Sequence, residues 1–356
     1  MRIGILGAGH GGLAASADLT ILGHDVKLSA VKEHNKNLKL LQSFGKLKVE
    51  GVTSTKECPV EVNTDFVCES IEETIKFADI IMVMVPAFAQ EVYNEYILKY
   101  GYKGQIITYP CGGFSALNFY NKLIELKRQD DFIVSETSSL IYTTKITAPA
   151  CVLIKSIKEK VSFSAANEKQ TDYALSVLNK IYPQYYKAQN AWQTSFNNPS
   201  SILHTITTLM NTSRIELFGP YKNSFYDITP AVARIMEAVD EERITIAEKF
   251  YSNPLSLNQI MCSLYSLNTD NIYDTIKNIK AYRIQHSPDN MHHRYISEDI
   301  PYSLVPIATL GKNLGLKTTN MDSIINLACM CNNENYWQTG RNANKLGFNA
   351  FSTEVA

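Results

Sequence analysis

The chain has 356 residues, of which 45% are hydrophobic and 19% are charged, and its formal net charge is -1. This length suffices for two ordinary domains, because single cores usually stop growing at roughly 250 to 300 residues. A nearly neutral chain has no global field that would attract nucleic acid or an anionic membrane, so we expect neither as a partner.

The N-terminal stretch MRIGILGAGHGGLAASADL interrupts its apolar residues with glycines. It therefore lacks both the apolar h-region of a secretory signal and the run of about 20 apolar residues that spans a bilayer. The seven cysteines are odd in number and contain no Cys-x-x-Cys pair, which indicates reduced thiols and no metal site. We expect a cytoplasmic protein.

The first predicted strand, RIGILG, runs directly into a glycine-rich turn, and a helix of small and apolar residues follows. This is the G-x-G-x-x-G motif in the strand, turn and helix context of a dinucleotide-binding fold. Gly7 permits the turn, Gly9 lets the backbone approach a pyrophosphate, and Gly12 lets the helix pack closely. The free N–H groups at the start of the helix attract phosphate. The cofactor-binding candidates here are Gly7, Ala8, Gly9, His10, Gly11 and Gly12, with His10 alternatively a variable loop residue.

The second predicted strand, HDVKLSAV (24–31), ends without the Asp or Glu that NAD enzymes usually place near the ribose 2′-hydroxyl. Ser29 and Lys32 stand there instead, and a small hydroxyl with a nearby cation favours the 2′-phosphate of NADP over NAD. The alternative is that Lys32 is a solvated residue at the start of a helix. Pro86, which ends the next strand ADIIMVMVP (78–86), completes the set of cofactor candidates.

Further strands are predicted at GQIITYP (104–110) and DFIVSET (131–137), with helical segments between them. Alternating strands and helices indicate an α/β fold with a doubly wound parallel sheet. From about residue 186 the strand-like runs disappear and long helical patterns follow. We therefore predict a Rossmann-like NAD(P)-binding domain over residues 1–185 and an all-α substrate and catalytic domain over residues 186–356.

In the second half, FNNPSSILHTITTLMNTSRIELF (196–218) is predicted to form one helix, with Asn198 as its N-cap and Pro199 at its first position. Its apolar stripe consists of Ile202, Ile206, Leu209 and Leu217. A second face carries His204, Thr208 and Asn211, at spacings of four and seven residues. A polar face with histidine and no charged residue favours the wall of a wet cleft over a solvated surface.

Several segments now resemble the opine dehydrogenases of the octopine/nopaline dehydrogenase class, which are similar to bacterial N-(1-carboxyethyl)-amino acid dehydrogenases. Besides the glycine motif they are SETSSLIY (135–142), NNPSSILH (197–204), NTSRIE (211–216), TPAVARIMEAVDEER (229–243), EDIPYSLVP (298–306) and YWQTGRNANKLGF (336–348). The resemblance covers nearly the whole chain in the family's order. It implies an NAD(P)H-dependent oxidoreductase acting on a CH–NH group, which joins an L-amino acid to a pyruvate-like 2-oxo acid and reduces the imine.

The resemblance also implies roles for single residues. His204 matches the family's catalytic histidine, and Asp299 matches the aspartate expected to pair with it. Arg294 stands where related bacterial enzymes bind a substrate carboxylate; Asn198 and Asn211 are further substrate-binding candidates. These residue types suit the chemistry, because histidine exchanges protons near pH 7, a buried aspartate orients it, and arginine grips a carboxylate bidentately. The chain departs from the family at LIYTTK, where a Leu-Pro-Tyr segment ending in arginine is more usual.

Structural alternatives remain open for these residues. His204 alternatively packs as an ordinary helix residue, Asp299 caps a turn, and Arg294 pairs with Glu298 across one turn of an exposed helix. We predict that His292, His293 and Glu298 are solvated neighbours. We also predict that Pro301 holds Ile300 in an extended conformation, so that the chain turns after Asp299.

Two competing functions remain. The first is an NADP-dependent 2-oxo acid or ketopantoate-type reductase, although such enzymes generally rely on a lysine of the helical domain. The second is a dinucleotide sensor without chemistry, which would not need His204 and Asp299 within hydrogen-bond reach. A homodimer is compatible with the tyrosine-rich helical half.

Overall fold

The computed structural model describes residues 1–55 and 57–348. Contacts between residues divide the chain into two compact units, of which the first comprises Met1–Lys187 and the second begins at Ala188. We describe each unit separately. The assignment of nucleotide binding to residues 1–185 and of substrate chemistry to residues 186–356 remains a proposal.

Eleven strands are described in the first unit. In chain order they are β1 (Arg2–Leu6), β2 (Asp25–Ser29), β3 (Lys46–Gly51), β4 (Val60–Asn63), β5 (Ile80–Val83), β6 (Ile106–Tyr109), β7 (Ile133–Thr137), β8 (Tyr142–Ala148), β9 (Cys151–Ile157), β10 (Val161–Ala165) and β11 (Tyr185–Lys187). They form two sheets with different architectures.

The larger sheet has seven strands in the order β11-β10-β7-β6-β5-β1-β2. Strands β2, β1, β5, β6 and β7 are parallel, and β10 runs antiparallel to β7. The segments IIMV of β5 and IITY of β6 are buried at every residue, as expected for parallel strands covered on both faces. The predicted α/β class with a Rossmann-like sheet is therefore confirmed.

The smaller sheet was not predicted. It has four strands in the order β4-β3-β9-β8, in which β3 pairs parallel with β9 and the two outer pairs are antiparallel. Strand β3 alternates exposed and buried residues, as a half-buried strand does. Strands β8 and β9 form a hairpin whose turn contains Ala150 with a positive φ of 50°.

Six α-helices accompany these strands in the described part of the first unit. They are α1 (His10–Ile21), α2 (Lys36–Phe44), α3 (Ile71–Phe77), α4 (Gln90–Tyr100), α5 (Ser115–Glu125) and α6 (Thr171–Leu178), with short 3₁₀ turns at Lys32–His34, Ala87–Ala89 and Glu168–Gln170. Helix α1 carries the buried carboxylate of Asp18, which accepts hydrogen bonds from Ser54 N at 2.8 Å, Ser54 Oγ at 2.6 Å and Tyr142 Oη at 2.9 Å. These three donors compensate the burial of the carboxylate and fasten α1 to β8.

The second unit is built from helices. They are α7 (Ala191–Phe196), α8 (Ser200–Leu209), α9 (Thr212–Phe218), α10 (Pro230–Ala247), α11 (Leu257–Tyr265), α12 (Ile272–Asn278), α13 (Arg294–Ser297), α14 (Val305–Asn313), α15 (Thr319–Asn332) and α16 (Tyr336–Thr339). There are 3₁₀ turns at Lys280–Ile284 and Ala343–Leu346, and a π-helical turn at Ile300–Leu304. Within residues 1–55 and 57–348, none of the helices combines the length and the apolar character needed to cross a membrane.

The single helix predicted over residues 196–218 is wrong, because the structure divides this segment into α8 and α9. Helix α8 ends at Leu209, and Asn211 is the N-cap residue of α9. Ile202, Ile206 and Leu209 are buried as expected, whereas Leu217 is 75% exposed because it belongs to the other helix. The start of α8 also differs by one position, since Pro199 occupies the N-cap and Asn198 precedes it.

A buried ion pair in α10 positions the corner between α7 and α8. Arg243 Nε donates to Asp240 Oδ1 at 2.6 Å, and both side chains are almost inaccessible to solvent. The same guanidinium donates from Nη1 to the carbonyl of Phe196 at 3.1 Å and from Nη2 to the carbonyl of Leu255 at 2.5 Å. Because Phe196 ends α7, the pair holds the backbone that leads into α8.

Candidate active site

The predicted contact between His204 and Asp299 is present. Helix α8 carries His204, and Asp299 lies just before the π-helical turn, so that Nδ1 of His204 is 2.8 Å from Oδ2 of Asp299. Only 16% of the His204 side chain and 7% of the Asp299 side chain are exposed. A carboxylate at this distance accepts a hydrogen bond from Nδ1–H, which makes Nε2 the ring nitrogen that exchanges a proton with a reactant.

Aromatic rings surround the imidazole of His204. The ring of Tyr295 is stacked on it with 3.9 Å between centroids and 23° between planes, and Phe225 lies nearly parallel to it at 5.5 Å. Burial raises the pKa of the Tyr295 phenol above its ordinary value, so this ring stays neutral. Neither ring is predictable as a part of the site from the sequence, since no motif or spacing connects Phe225 or Tyr295 with His204.

Arg294 lies at the start of α13, next in sequence to Tyr295. Its Nη1 is 3.5 Å from Oε2 of Glu298, and 51% of its side chain is exposed. This long pair across one helical turn holds the guanidinium weakly. Glu298 was predicted to be solvated, but only 17% of its side chain is exposed, so that prediction is wrong.

His293 was likewise predicted to be a solvated neighbour, and the structure gives it a structural role instead. It is the N-cap residue of α13, and its Nδ1 accepts from the backbone N–H of Tyr295 at 3.3 Å. Its ring also packs edge-on against Tyr295 at 4.5 Å. Burial, then the charge of Arg294 and then that of His204, lower the pKa of His293 to about 4. His293 is therefore neutral near pH 7, while His292 is exposed as predicted.

The prediction of an extended Ile300 is wrong. Asp299 is already helical, with φ of −70° and ψ of −30°, and Ile300–Leu304 form the π-helical turn that continues into α14. Pro301 is tolerated because it lies in the first turn of this element, where a missing N–H costs little. π-Helical turns inside helices often occur at functional sites, and this one follows Asp299 directly.

The two candidate asparagines serve the ends of helices. Oδ1 of the buried Asn198 accepts from the backbone N–H of Ser200 at 3.0 Å, and Nδ2 of Asn211 donates to the carbonyl of Thr207 at 2.9 Å. Thr208, one turn after His204, is 1% exposed, and within the described residues its buried hydroxyl lacks a hydrogen-bond partner. The face predicted to line a wet cleft is thus largely enclosed around Thr208.

In the first unit, the glycine turn between β1 and α1 has the shape that a dinucleotide requires. A Cβ atom added to Gly12 would lie 1.9 Å from the carbonyl oxygen of Gly7, so only glycine allows this packing. A Cβ atom added to Gly9 would meet nothing within 4 Å, so a ligand can approach the backbone there. Helix α1 begins at His10 and has no acidic residue in its first turn, which suits pyrophosphate at its positive end.

Neighbouring residues fix this turn from several sides. The carbonyl of Ala8 accepts from Nδ2 of Asn37 at 2.7 Å, a contact that sequence reasoning did not identify. Nδ1 of His10 accepts from the backbone N–H of Ile146 in β8 at 2.8 Å. At Gly11, an added Cβ atom would lie 3.1 Å from Cδ2 of Leu140. The turn is therefore held between α2 and the smaller sheet.

The other cofactor candidates differ in accessibility. Ser29 is completely buried, so its hydroxyl does not reach a ligand at the surface; its carbonyl instead accepts from the backbone N–H of Gly7 at 2.7 Å. Lys32 is exposed at the start of a 3₁₀ turn after β2. Pro86 follows β5 and is partly buried. Lys32 and Pro86 thus lie beyond the carboxyl ends of parallel strands, the edge at which such folds bind ligands.

Comparisons with known proteins agree with this arrangement. Residues 187–332 match the family model described as NAD/NADP octopine/nopaline dehydrogenase, alpha-helical domain. The chain is 28% identical over 348 residues to an opine dehydrogenase of Arthrobacter sp. (strain 1C), covering 98% of this chain and 95% of the relative. It is 23% identical over 349 residues to the protein ocs of Agrobacterium tumefaciens (strain Ach5), covering 97% and 95%.

Solved structures share the fold. An octopine dehydrogenase structure with NADH and pyruvate has a TM-score of 0.74 at 17% identity, covering 98% of this chain and 96% of that chain. A PanE/ApbA family ketopantoate reductase from Ralstonia eutropha JMP134 has a TM-score of 0.61 at 14% identity, covering 94% and 99%. Identities this low show the fold alone, which both enzyme classes share.

Proposed function

The helical domain of this chain belongs to the octopine/nopaline dehydrogenase family, and from that premise we propose that the protein is an opine dehydrogenase. It would catalyse the NAD(P)H-dependent reductive condensation of an L-amino acid with a pyruvate-like 2-oxo acid. The product would be an N-(carboxyalkyl)amino acid. The observation that carries the proposal is the enclosed contact between His204 and Asp299, at 2.8 Å.

The reaction has two parts. The amine of the amino acid attacks the carbonyl carbon of the 2-oxo acid, and loss of one water molecule leaves an imine. Reduction of the imine carbon by a hydride and protonation of the nitrogen then give a secondary amine. A nicotinamide cofactor supplies the hydride when it is bound. The protein must therefore move protons at the carbonyl oxygen and at the nitrogen.

His204 is the residue that we assign to these proton transfers. With Nδ1–H directed at Asp299, Nε2 takes a proton from the ammonium group of the amino acid, which leaves the amine that attacks, or it returns a proton to the departing oxygen. Asp299 fixes the tautomer and stabilises the imidazolium form. Such general acid–base catalysis typically contributes about 10² to 10⁴ in rate.

Arg294 is the residue that we assign to a substrate carboxylate. Its guanidinium is half-exposed and lies at the long distance of 3.5 Å from Glu298, so a substrate carboxylate could form a stronger, bidentate contact with it. Asn198 and Asn211 are assigned to the substrate site more indirectly. Both shape the ends of α8 and thereby position His204.

The residues that would hold the cofactor are those of the glycine turn. The backbone at Gly9 and the N-terminus of α1 would receive the pyrophosphate, while Gly7, Ala8, His10, Gly11 and Gly12 maintain the turn. Lys32 would contact a 2′-phosphate, which favours NADP over NAD. Replacing Lys32 with alanine should weaken the binding of NADPH and leave the binding of NADH unchanged, as measured by the quenching of protein fluorescence.

An assay that crosses amino acids with 2-oxo acids tests the function. NAD(P)H oxidation should require both substrates, and mass spectrometry should detect the secondary amine. Oxidation at the full rate with the 2-oxo acid alone would instead support the ketopantoate-type or 2-oxo acid reductase. Cofactor binding without turnover on any pair would support the sensor. We further propose a cytoplasmic homodimer, which light scattering and cell fractionation can test.

A further inference from the structure

Tyr295 is the aromatic ring at the centre of the candidate active site. The imidazole of His204 is stacked on it at 3.9 Å, and the guanidinium carbon of Arg294 lies 5.5 Å from its centroid. His293 contacts the same ring edge-on at 4.5 Å. One neutral ring therefore contacts both of the cationic groups that the proposed reaction uses.

The ring of Tyr295 is itself firmly held. It is 6% exposed, and its hydroxyl accepts a hydrogen bond from Nε2 of Gln285 at 3.0 Å. Its backbone N–H is bound by the side chain of His293, which starts α13. Phe225 packs against it at 5.7 Å between ring centroids. A ring fixed at both ends can act as a rigid support for the groups that contact it.

We propose that Tyr295 is a positioning residue that supports His204 and Arg294 together through its ring, favouring the protonated form of His204. The face of an aromatic ring attracts cations, and the attraction strengthens where water is excluded. An imidazolium stacked on this face is therefore stabilised relative to a neutral imidazole. Arg294 gains the same attraction at a longer distance, which directs its guanidinium without burying it.

Other charged groups act on His204 at the same time. Asp299 contacts Nδ1 directly and also favours the imidazolium. Arg294 begins α13, and the N-cap residue of that helix, His293, interacts electrostatically with His204 although it is neutral near pH 7. Because Asp299 would remain in a Tyr295 variant, the contribution of the ring can be separated from that of the carboxylate.

The test compares Tyr295→Phe, which keeps the ring, with Tyr295→Leu and Tyr295→Met, which remove it. NMR titration of the His204 imidazole in the cofactor-free protein is the first measurement. Loss of the ring should lower the pKa of His204 by about 0.5 to 1 pH unit, whereas the phenylalanine variant should stay within about 0.2 units of the parent. Phe225→Leu removes the ring that lies 5.5 Å from His204 instead of 3.9 Å, so it should lower the pKa of His204 by less than the loss of the Tyr295 ring does. Circular dichroism identifies variants that do not fold. If one of Tyr295→Leu and Tyr295→Met does not fold, the other is enough for the test.

The second measurement is kinetic and rests on the proposed function. Loss of the ring should move the acidic limb of kcat/KM to lower pH and raise the KM of the carboxylate substrate that Arg294 binds by about tenfold. Tyr295→Phe should restore both values. Unchanged titration in folded Leu and Met variants would overturn the inference, as would a phenylalanine variant that shifts as far as they do. The titration requires no turnover, so failure of the proposed reaction would be recognised separately by the assay of the parent enzyme.

Discussion

Nδ1 of His204 lies 2.8 Å from Oδ2 of Asp299, although 95 residues separate them in the chain. Two distant segments thus converge on a single hydrogen bond with little exposure to solvent. A histidine that merely packed in a helix would not require a carboxylate from another element. The pair allows sharp predictions, because each partner affects the reaction differently.

Replacing His204 with alanine should reduce kcat by about 10² to 10⁴, because the proton-transfer group is lost. The proposed cofactor site consists of residues of the first unit, so NAD(P)H affinity should stay within about twofold of the parent value. Steady-state kinetics and fluorescence titration measure the two quantities. His292→Ala, at an exposed position nearby, is the control and should keep full activity. Equal losses of turnover and cofactor affinity would contradict the catalytic assignment.

Replacing Asp299 with asparagine should reduce kcat/KM by about 10² to 10⁴. The amide fixes the tautomer of His204 less well than the carboxylate does, and it stabilises the imidazolium less. Removing the negative charge lowers the pKa of His204, so the acidic limb of the pH profile should move to lower pH. Glu298→Gln changes the neighbouring carboxylate and serves as the control. A pH profile that shifts only in the Glu298 variant would reassign the role.

Replacing Arg294 with lysine should raise the KM of a carboxylate substrate by about tenfold or more, because an ammonium group cannot reproduce the bidentate contact. The kcat should change less than the KM. Arg214→Lys is a matched control, since Arg214 also forms a long ion pair, 3.6 Å from Asp227, and lies over a tyrosine ring. If both variants raised the KM equally, the effect would be a general consequence of replacing a guanidinium group and not the loss of a specific contact.

The lowered pKa of His293 should make the free energy of unfolding depend on pH. Its pKa is lowered from 6.5 to about 4 in the folded chain, so the unfolded chain binds a proton first as the pH falls. Its contribution to stability is complete above about pH 6.5 and is lost as the pH falls towards 4. After allowance for partial exposure, we expect a loss of about 1 kcal/mol.

The variant His293→Asn tests this dependence. Asparagine is one of the preferred N-cap residues, so the start of α13 should be preserved while the titrating group is removed. Urea unfolding at pH 4.5 and 7.5 gives the free energy of unfolding of both proteins. The difference between the two pH values should be smaller in the variant by about 1 kcal/mol. The same difference in both proteins would show that other groups cause the pH dependence.

Two glycine variants should separate binding from folding. Gly9→Ala has room for its methyl group and should unfold at the parent temperature, but the methyl would obstruct the approach of a pyrophosphate and weaken NAD(P)H binding. Gly12→Ala would place its methyl against the carbonyl of Gly7 and should lower the thermal midpoint strongly. Thermal unfolding and cofactor titration together distinguish these outcomes. Weak binding without instability in Gly12→Ala would contradict the packing argument.

The parallel sheet was predictable because buried strands and a glycine turn leave strong local signals. The smaller sheet was not, since β3 and β4 are short and half-buried, and β9 pairs with a strand about 100 residues earlier, at Val49↔Val152. The break between α8 and α9 lacks glycine and proline. Its one local signal is Asn211, a good N-cap residue that also fits the interior of a predicted helical pattern.

The candidate site was predictable only in part. Family segments located His204 and Asp299, and residue chemistry explained why such a pair would be useful. The stack of Tyr295 on His204 depends on how α13 packs against α8, which no local pattern determines. The same packing buries His293 and Glu298 partly, although their sequence context suggested solvent.

The length of the π-helical turn at Ile300–Leu304 also determines the direction in which the Asp299 side chain points. The backbone hydrogen bond of a π-helical turn encloses one more residue than the hydrogen bond of an α-helical turn does. Deleting that residue would rewind the segment into a continuous α-helix and rotate Asp299 by about 100° relative to α14. The carboxylate would then leave the side of the helix that faces His204. The alignment of the two residues therefore depends on the length of this segment as well as on its composition.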